Sequence, residues 1–174
     1  MLNSFELLGY ITADLSNRIL SDSAEDNRDV YDATLAGVAK LRRMRPQFLK
    51  SQPKPTRHKL MIESLKRPAF EEVASQLLRG WLIKHQQDML TQFLDALKIE
   101  HEDGVVEDLP KVITDEALEA AISGLLAQHD KEIVILYLHA FHSMNDAGWN
   151  NLEAALDSDE RFQCIKRPVS AIFL

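Results

Sequence analysis

The stretch 71–104 occurs a second time, without a gap, at 115–148, and this constrains the fold more than any single motif. An offset of 44 pairs Glu72 with Glu116, Gly80 with Gly124, Leu82 with Leu126, His85 with His129, Leu94 with Leu138, Ala96 with Ala140 and Gly104 with Gly148. Conservative pairs lie between these identities, among them Leu78 with Ile122, Met89 with Ile133, Phe93 with Tyr137 and Leu97 with Phe141. A period of this length matches a two-helix solenoid unit.

Within the first copy, Phe70, Val73, Leu77, Leu78 and Trp81 form one helical stripe, and Met89, Leu90, Phe93, Leu94 and Leu97 form another. The second copy reproduces the latter as Ile133, Val134, Tyr137, Leu138 and Phe141. The run IVILYL by itself is compatible with a strand, but the shared spacing i, i+1, i+4, i+5, i+8 selects a helix. The expected elements are therefore hairpins at 68–104 and 114–148, joined by a proline-containing linker at 105–114 that ends in an N-cap, Thr114. A third, degenerate unit at 24–45 has only Gly37 to suggest it.

Upstream, Leu8, Ile11, Leu15 and Ile19 predict one amphipathic helix over 5–20, and Ser23 with Asp26 offers caps for a second over 24–44. The three prolines in 46–56 predict an irregular surface connection with Phe48 and Leu49 tucked in, followed by a short helix over 57–66. Pro68 is placed to open the next helix, where its missing donor costs nothing. Residues 149–174 read as a terminal helix carrying Trp149, Leu152 and Leu156, then an apolar tail, 162–174. The sum is a single all-α domain of seven or eight helices containing two tandem helix hairpins, with 1–67 packed against one end. With only two units, the flanking helices must close the ends.

The repeat also disciplines the reading of chemistry. His85 and His129 recur at the same helix junction, which suits a cap or packing role beside the negative helix end. His139 and His142 lie three apart and two such imidazoles can share a metal, but they pair with Asp95 and Lys98 in the first copy, which predicts a solvated face. Around Gly104 the acids Glu100, Glu102, Asp103, Glu107 and Asp108 invite comparison with a calcium loop. Placing Gly104 sixth puts Ile99 first and Pro110 twelfth, and neither side chain ligates. Gly104 and Gly148 are instead expected to be left-handed helix stops. Gly80 and Gly124 fall mid-helix and imply close approach of a paired helix. No phosphate-binding glycine pattern, nucleophile elbow, HExxH or CxxC occurs, so no catalytic residue, metal ligand or cofactor is assigned. The single cysteine, Cys164, reads as an inert thiol in a reducing compartment.

Charge is segregated. The chain carries −7 overall, yet 40–67 holds ten Lys and Arg residues against one acid, Glu63. Lys40, Arg42, Arg43, Arg45, Lys50, Lys54, Arg57 and Lys59 are the candidate partner-binding residues. Two readings compete: complementation of the chain's own acids, or docking of an acidic partner. Nucleic acid is the weaker of the anionic partners, because the aromatic interleaving that favours single strands is limited to Phe48. No apolar run is long enough to span a membrane and no basic leader precedes an apolar core, so the expected location is the cytoplasm.

The segments RPQFL, LLRGWLIKHQQDMLTQFLDALKIEHEDG, VVEDLP and YLHAF resemble a group of uncharacterised bacterial all-helical proteins with a FLDALGI-HEDG-like and a later YLHAF-like segment. The resemblance spans about 45–162. It implies a bacterial origin and one helical domain, and brings no catalytic residues with it. Lys98 stands where that group is expected to carry glycine, which puts special backbone geometry there in doubt. Together these readings favour a non-enzymatic protein-interaction or scaffold protein with an unidentified protein partner and an open oligomeric state. The alternatives are a small-molecule or metal site between the hairpins, using His139, His142 or His101, and an anionic partner held by 40–59.

Overall fold

A computed structural model describes residues 2–145 and 148–158. Among these residues the chain forms ten α-helices: α1 (Ser4–Tyr10), α2 (Ala13–Asp26), α3 (Arg28–Leu41), α4 (Pro46–Ser51), α5 (Lys54–Leu65), α6 (Glu71–His85), α7 (Gln87–Ala96), α8 (Asp115–Gln128), α9 (Lys131–Asn145) and α10 (Asn150–Ser158). One continuous cluster of buried apolar side chains runs from Leu7 in α1 to Leu156 in α10. The all-helical class is as the periodicity predicts. Cys164 and the apolar tail 162–174 lie outside the described residues.

The additional helices come from breaks too short to disturb the apolar period. The expected helix over 5–20 is two. Ile11 turns the chain with an extended backbone, and Thr12 caps α2 by accepting the Leu15 N–H at 3.2 Å. Ile11 remains buried at the corner, so the stripe passes through unbroken. The serines at 21–23 do not end a helix, because α2 continues to Asp26 and the Ser23 hydroxyl donates back to the Ile19 carbonyl at 2.8 Å.

Residues 46–56 are largely helical, contrary to the irregular connection expected there. Each proline sits where a helix needs no donor: Pro46 opens α4, while Pro53 caps α5 and Pro55 lies in its first turn. Leu49 is fully buried, but Phe48 is 55 % exposed. A helix this short seats one face only. Pro68 likewise opens a single 3-10 turn, Pro68–Phe70, before α6 starts.

The seam between α3 and α6 is built from a reciprocal pair of contacts. Gly37 of α3 faces Val73 of α6, and Gly80 of α6 faces Val30 of α3. A Cβ placed at either glycine would stand 2.8 Å from a valine methyl carbon. The two helices run antiparallel, and each valine fills the space the opposing glycine leaves. Gly80 thus does mark a close approach, but to α3. Gly124 does not: its nearest neighbour would be the Gln92 amide at 3.7 Å, an ordinary contact.

Two further ties bind α6 to the N-terminal helices. Trp81 is fully buried, stacks on His85 and donates its indole N–H to Asp22 of α2 at 3.0 Å. Glu71 accepts the Ser4 and Phe5 backbone N–H groups at 3.1 and 2.9 Å, satisfying the otherwise orphaned start of α1.

The α9 helix is surrounded. Every residue from Ile133 to His142 is buried, and α1, α6, α8 and α10 pack around it. The solvated face expected for His139 and His142 is therefore corrected: they are 4 % and 7 % exposed. A helix apolar on all sides belongs in the interior, and its two histidines are carried there by their neighbours.

Candidate functional site

The C-terminus of α3 determines the character of the basic region. Arg42 N–H donates to Val38 at 3.0 Å, Arg43 to Lys40 at 3.1 Å and Met44 to Ala39 at 2.9 Å. Arg43 adopts a left-handed backbone, φ 56°, at a position where glycine is usual. This wrap satisfies the last carbonyls of α3 and collects positive side chains at its negative end. Lys40, Arg43 and Arg45 are exposed on this corner, together with Leu41, 46 % exposed, and Phe48 of α4.

Four of the eight basic candidates are engaged internally. Arg57 donates through Nε to the Tyr31 hydroxyl at 2.9 Å and through Nη1 to the Lys50 carbonyl at 2.8 Å, and it lies over the Tyr31 ring. Arg42 donates to Ser64 of α5 at 3.0 Å. Lys50 pairs with Asp32 at 3.5 Å and Lys54 with Glu25 at 3.8 Å, both exposed pairs of the kind that contribute little to stability. Lys40, Arg43, Arg45 and Lys59 have no acidic partner among the described residues.

Beneath this surface Tyr31 and His58 are almost completely buried, with Tyr31 Oη 3.1 Å from His58 Nε2. The phenol oxygen accepts from Arg57 and shares one further hydrogen bond with His58 Nε2, phenol or imidazole donating according to the histidine tautomer. Burial, then Lys54 and Arg57, push the His58 pKa down to about 4. The trio resembles acid–base machinery, but it is sealed from substrate. It locks α5 onto α3.

Elsewhere the sequence candidates separate. His101 pairs with Asp95 at 3.1 Å and accepts the Gly104 N–H on Nδ1 at 3.3 Å, closing its own loop. His139 and His142 each have a buried Nδ1 without a hydrogen-bond partner. Burial lowers the His139 pKa to about 4. Among the described residues no group of three or more His, Cys, Asp or Glu side chains is disposed to hold a metal. His129 donates to Gln92 at 2.8 Å, whereas His85 stacks on Trp81 with its Nε2 unpaired, so the two junction histidines have different surroundings.

Two backbone expectations are also corrected. Gly104, φ 87°, is no helix stop: α7 ends at Ala96, and the left-handed residue that closes it is Lys98, φ 56°. Ile99 N–H reaches back to Leu94 at 2.9 Å, the same wrap that ends α3. The special geometry at 98 is kept despite the lysine. Gly104 instead lies against α7, where a Cβ would stand 2.8 Å from Leu90 Cβ.

No protein-family model matches this chain, and neither a curated protein nor a solved structure was found to resemble it.

A cavity of about 100 Å³ lies between α6, α7, α9 and the loop after α7, between the two hairpins as one of the alternatives expected, but none of His101, His139 and His142 lines it. Tyr137 and Phe141 of α9 form one wall, Leu82 and Leu90 another, and Arg79 of α6 is exposed at its edge. The pairing of Phe93 with Tyr137 across the repeat pointed to helix packing but not to a gap left by it. No helix is long and apolar enough to cross a membrane among the described residues.

Proposed function

We propose that this is a non-enzymatic interaction protein that docks an acidic protein segment on the corner formed by the end of α3 and α4. The observation that carries the reading is the exposure of Leu41 and Phe48 beside Lys40, Arg43 and Arg45, cations with no acid against them among the described residues. An aromatic anchor within a ring of cations fits a segment that alternates acidic and apolar residues, with the apolar contact giving affinity and the charge speeding encounter. Four helical hairpin elements, α6 to α9, would then serve as the scaffold behind this face, in a reducing cytoplasm. Nucleic acid is disfavoured by the net charge of −7, which repels a polyanion beyond the immediate patch.

The test is a titration with a fluorescent peptide of alternating Glu, Leu and Phe, at low and at raised ionic strength, beside a duplex DNA of equal charge. Peptide binding that weakens with salt is expected, as is a loss of about tenfold or more on Phe48→Ala or on the pair Arg43→Glu and Arg45→Glu. Lys50→Glu, at a residue engaged by Asp32, is expected to matter less. Absence of peptide binding at low salt, or DNA bound more tightly than the peptide, would overturn the reading.

A further inference from the structure

Among the described residues four large apolar side chains are exposed, and they fall two and two on surfaces of opposite charge. Leu41 and Phe48 lie on the basic corner. Val105, 38 % exposed, and Val112, 80 % exposed, lie in the linker between α7 and α8. From 99 to 110 that linker carries five acids, Glu100, Glu102, Asp103, Glu107 and Asp108, and no Lys or Arg, with Lys98 and Lys111 flanking the run. All five acids are exposed, and none is in an ion pair among the described residues. The segment thus interleaves acidic and apolar residues, the pattern that suits the corner. It is also held in shape. Glu102 and Val105 exchange both backbone hydrogen bonds at 2.9 Å, His101 accepts the Gly104 N–H at 3.3 Å, and the Trp149 indole donates to the Pro110 carbonyl at 2.7 Å. A segment already ordered gives up little conformational freedom on docking.

With the basic corner read as a docking surface, and on that reading alone, we infer that its partner is a second copy of this chain. The α7–α8 linker of one copy brings its exposed valines to Leu41 and Phe48 of the next, and its acids to Lys40, Arg43 and Arg45. Within one chain the two surfaces are apart: no ion pair joins them among the described residues, α4 packs on α3, and the linker packs on α7 through Gly104 and on Trp149. The contact is therefore between unlike surfaces of two copies, and its repetition closes a reciprocal pair or a ring, or extends a chain. The net charge of −7 on each copy does not prevent it, because salt screens exposed charges beyond about 8 Å at physiological ionic strength, whereas the facing patches touch. Apolar burial supplies affinity, and the opposite charges select which faces meet.

Sedimentation of the full chain over a range of concentrations, at ionic strengths of about 0.15 M and about 1 M, tests this. Concentration-dependent association is expected, weaker at the higher salt. Arg43→Glu with Arg45→Glu, and separately Glu107→Lys with Asp108→Lys, are each expected to weaken it by about tenfold or more. An equimolar mixture of the two variants is expected to associate again, because each offers the charge that the other lacks, and circular dichroism checks that both fold. The peptide of alternating Glu, Leu and Phe is expected to dissociate the assembly. A chain that binds that peptide yet stays monomeric overturns the self-docking and leaves the corner standing; a chain that neither binds the peptide nor associates removes both. Association untouched by either charge reversal, or a mixture of folded variants that associates no better than its parts, also overturns it.

Discussion

Arg43 and Lys98 show what a single backbone angle costs. Each is a non-glycine residue with φ 56° closing a helix. The left-handed conformation is unfavourable by about 1–2 kcal/mol for a residue with a Cβ. Arg43→Gly and Lys98→Gly are therefore each expected to raise stability by about 0.5–1 kcal/mol, the gain being reduced by glycine's greater freedom in the unfolded chain. Urea midpoints measure this, and a loss of stability in both variants would contradict it. The two should part in function, because Arg43→Gly also removes a cation from the proposed docking corner while Lys98→Gly does not.

The buried histidines give the protein an acid-sensitive stability. His58 and His139 are held neutral in the fold, with pKa values lowered to about 4, chiefly by burial, from 6.5. Between those values the unfolded chain binds the extra protons, so stability is full above about pH 6.5 and falls as pH drops toward 4. From pH 7 to pH 5 the expected loss is roughly 1–2 kcal/mol for each histidine. His139→Leu should flatten its share of that slope in urea unfolding, and an unaltered slope would remove His139 from the account.

At the scale of elements, the α3–α6 seam makes a sharp prediction about glycines that sequence comparison treats as equivalents. Gly37→Ala and Gly80→Ala are each expected to cost about 1–2 kcal/mol, because overpacking against a valine, roughly 1–3 kcal/mol, exceeds the helix-propensity gain of up to about 1 kcal/mol. Val30→Ala in the Gly80→Ala background should recover part of the loss. Gly124→Ala meets nothing closer than 3.7 Å and is expected to stabilise by about 0.5–1 kcal/mol. Chemical denaturation of the four variants decides it; the same sign at Gly80 and Gly124 would refute the distinction.

That contrast also locates what the sequence makes legible. Helices α6 to α9 could be read because their apolar spacing is long and regular. The corner at Ile11 could not, since Ile11 keeps the period while the backbone turns. The burial of α9 was written in six successive apolar residues, Ile133 to Leu138, but the pairing of His139 and His142 with Asp95 and Lys98 across the repeat argued the other way, and the neighbours decided. The basic region was visible as composition. Which of its cations are free was not, because Arg57 is taken by Tyr31, 26 residues away, and Arg42 by Ser64, 22 away.

Across the whole molecule the described helices depend on one another end to end. Glu71 holds the start of α1, Glu132 of α9 accepts from the Thr12 backbone and side chain, and Trp149 donates to the Pro110 carbonyl at 2.7 Å, fastening the linker before α8 to the approach to α10. Removing an interior contact should thus be felt globally. Leu136→Ala, at a fully buried site of α9, is expected to cost about 2–5 kcal/mol and to shift a single cooperative transition seen equally by tryptophan fluorescence and circular dichroism. Two separated transitions would show that the ends unfold on their own.

The enclosure of α9 also bears on the chain as it is made. The ribosome delivers α1 to α8 before α9, so the apolar trough that α9 will occupy stays uncovered until α9 has itself left the exit tunnel. Until then the nascent chain presents a sticky surface with no internal remedy. A pause in translation before α9 would be met by chaperones, and slow codons placed there should lower the yield of soluble protein more than the same codons placed before α4.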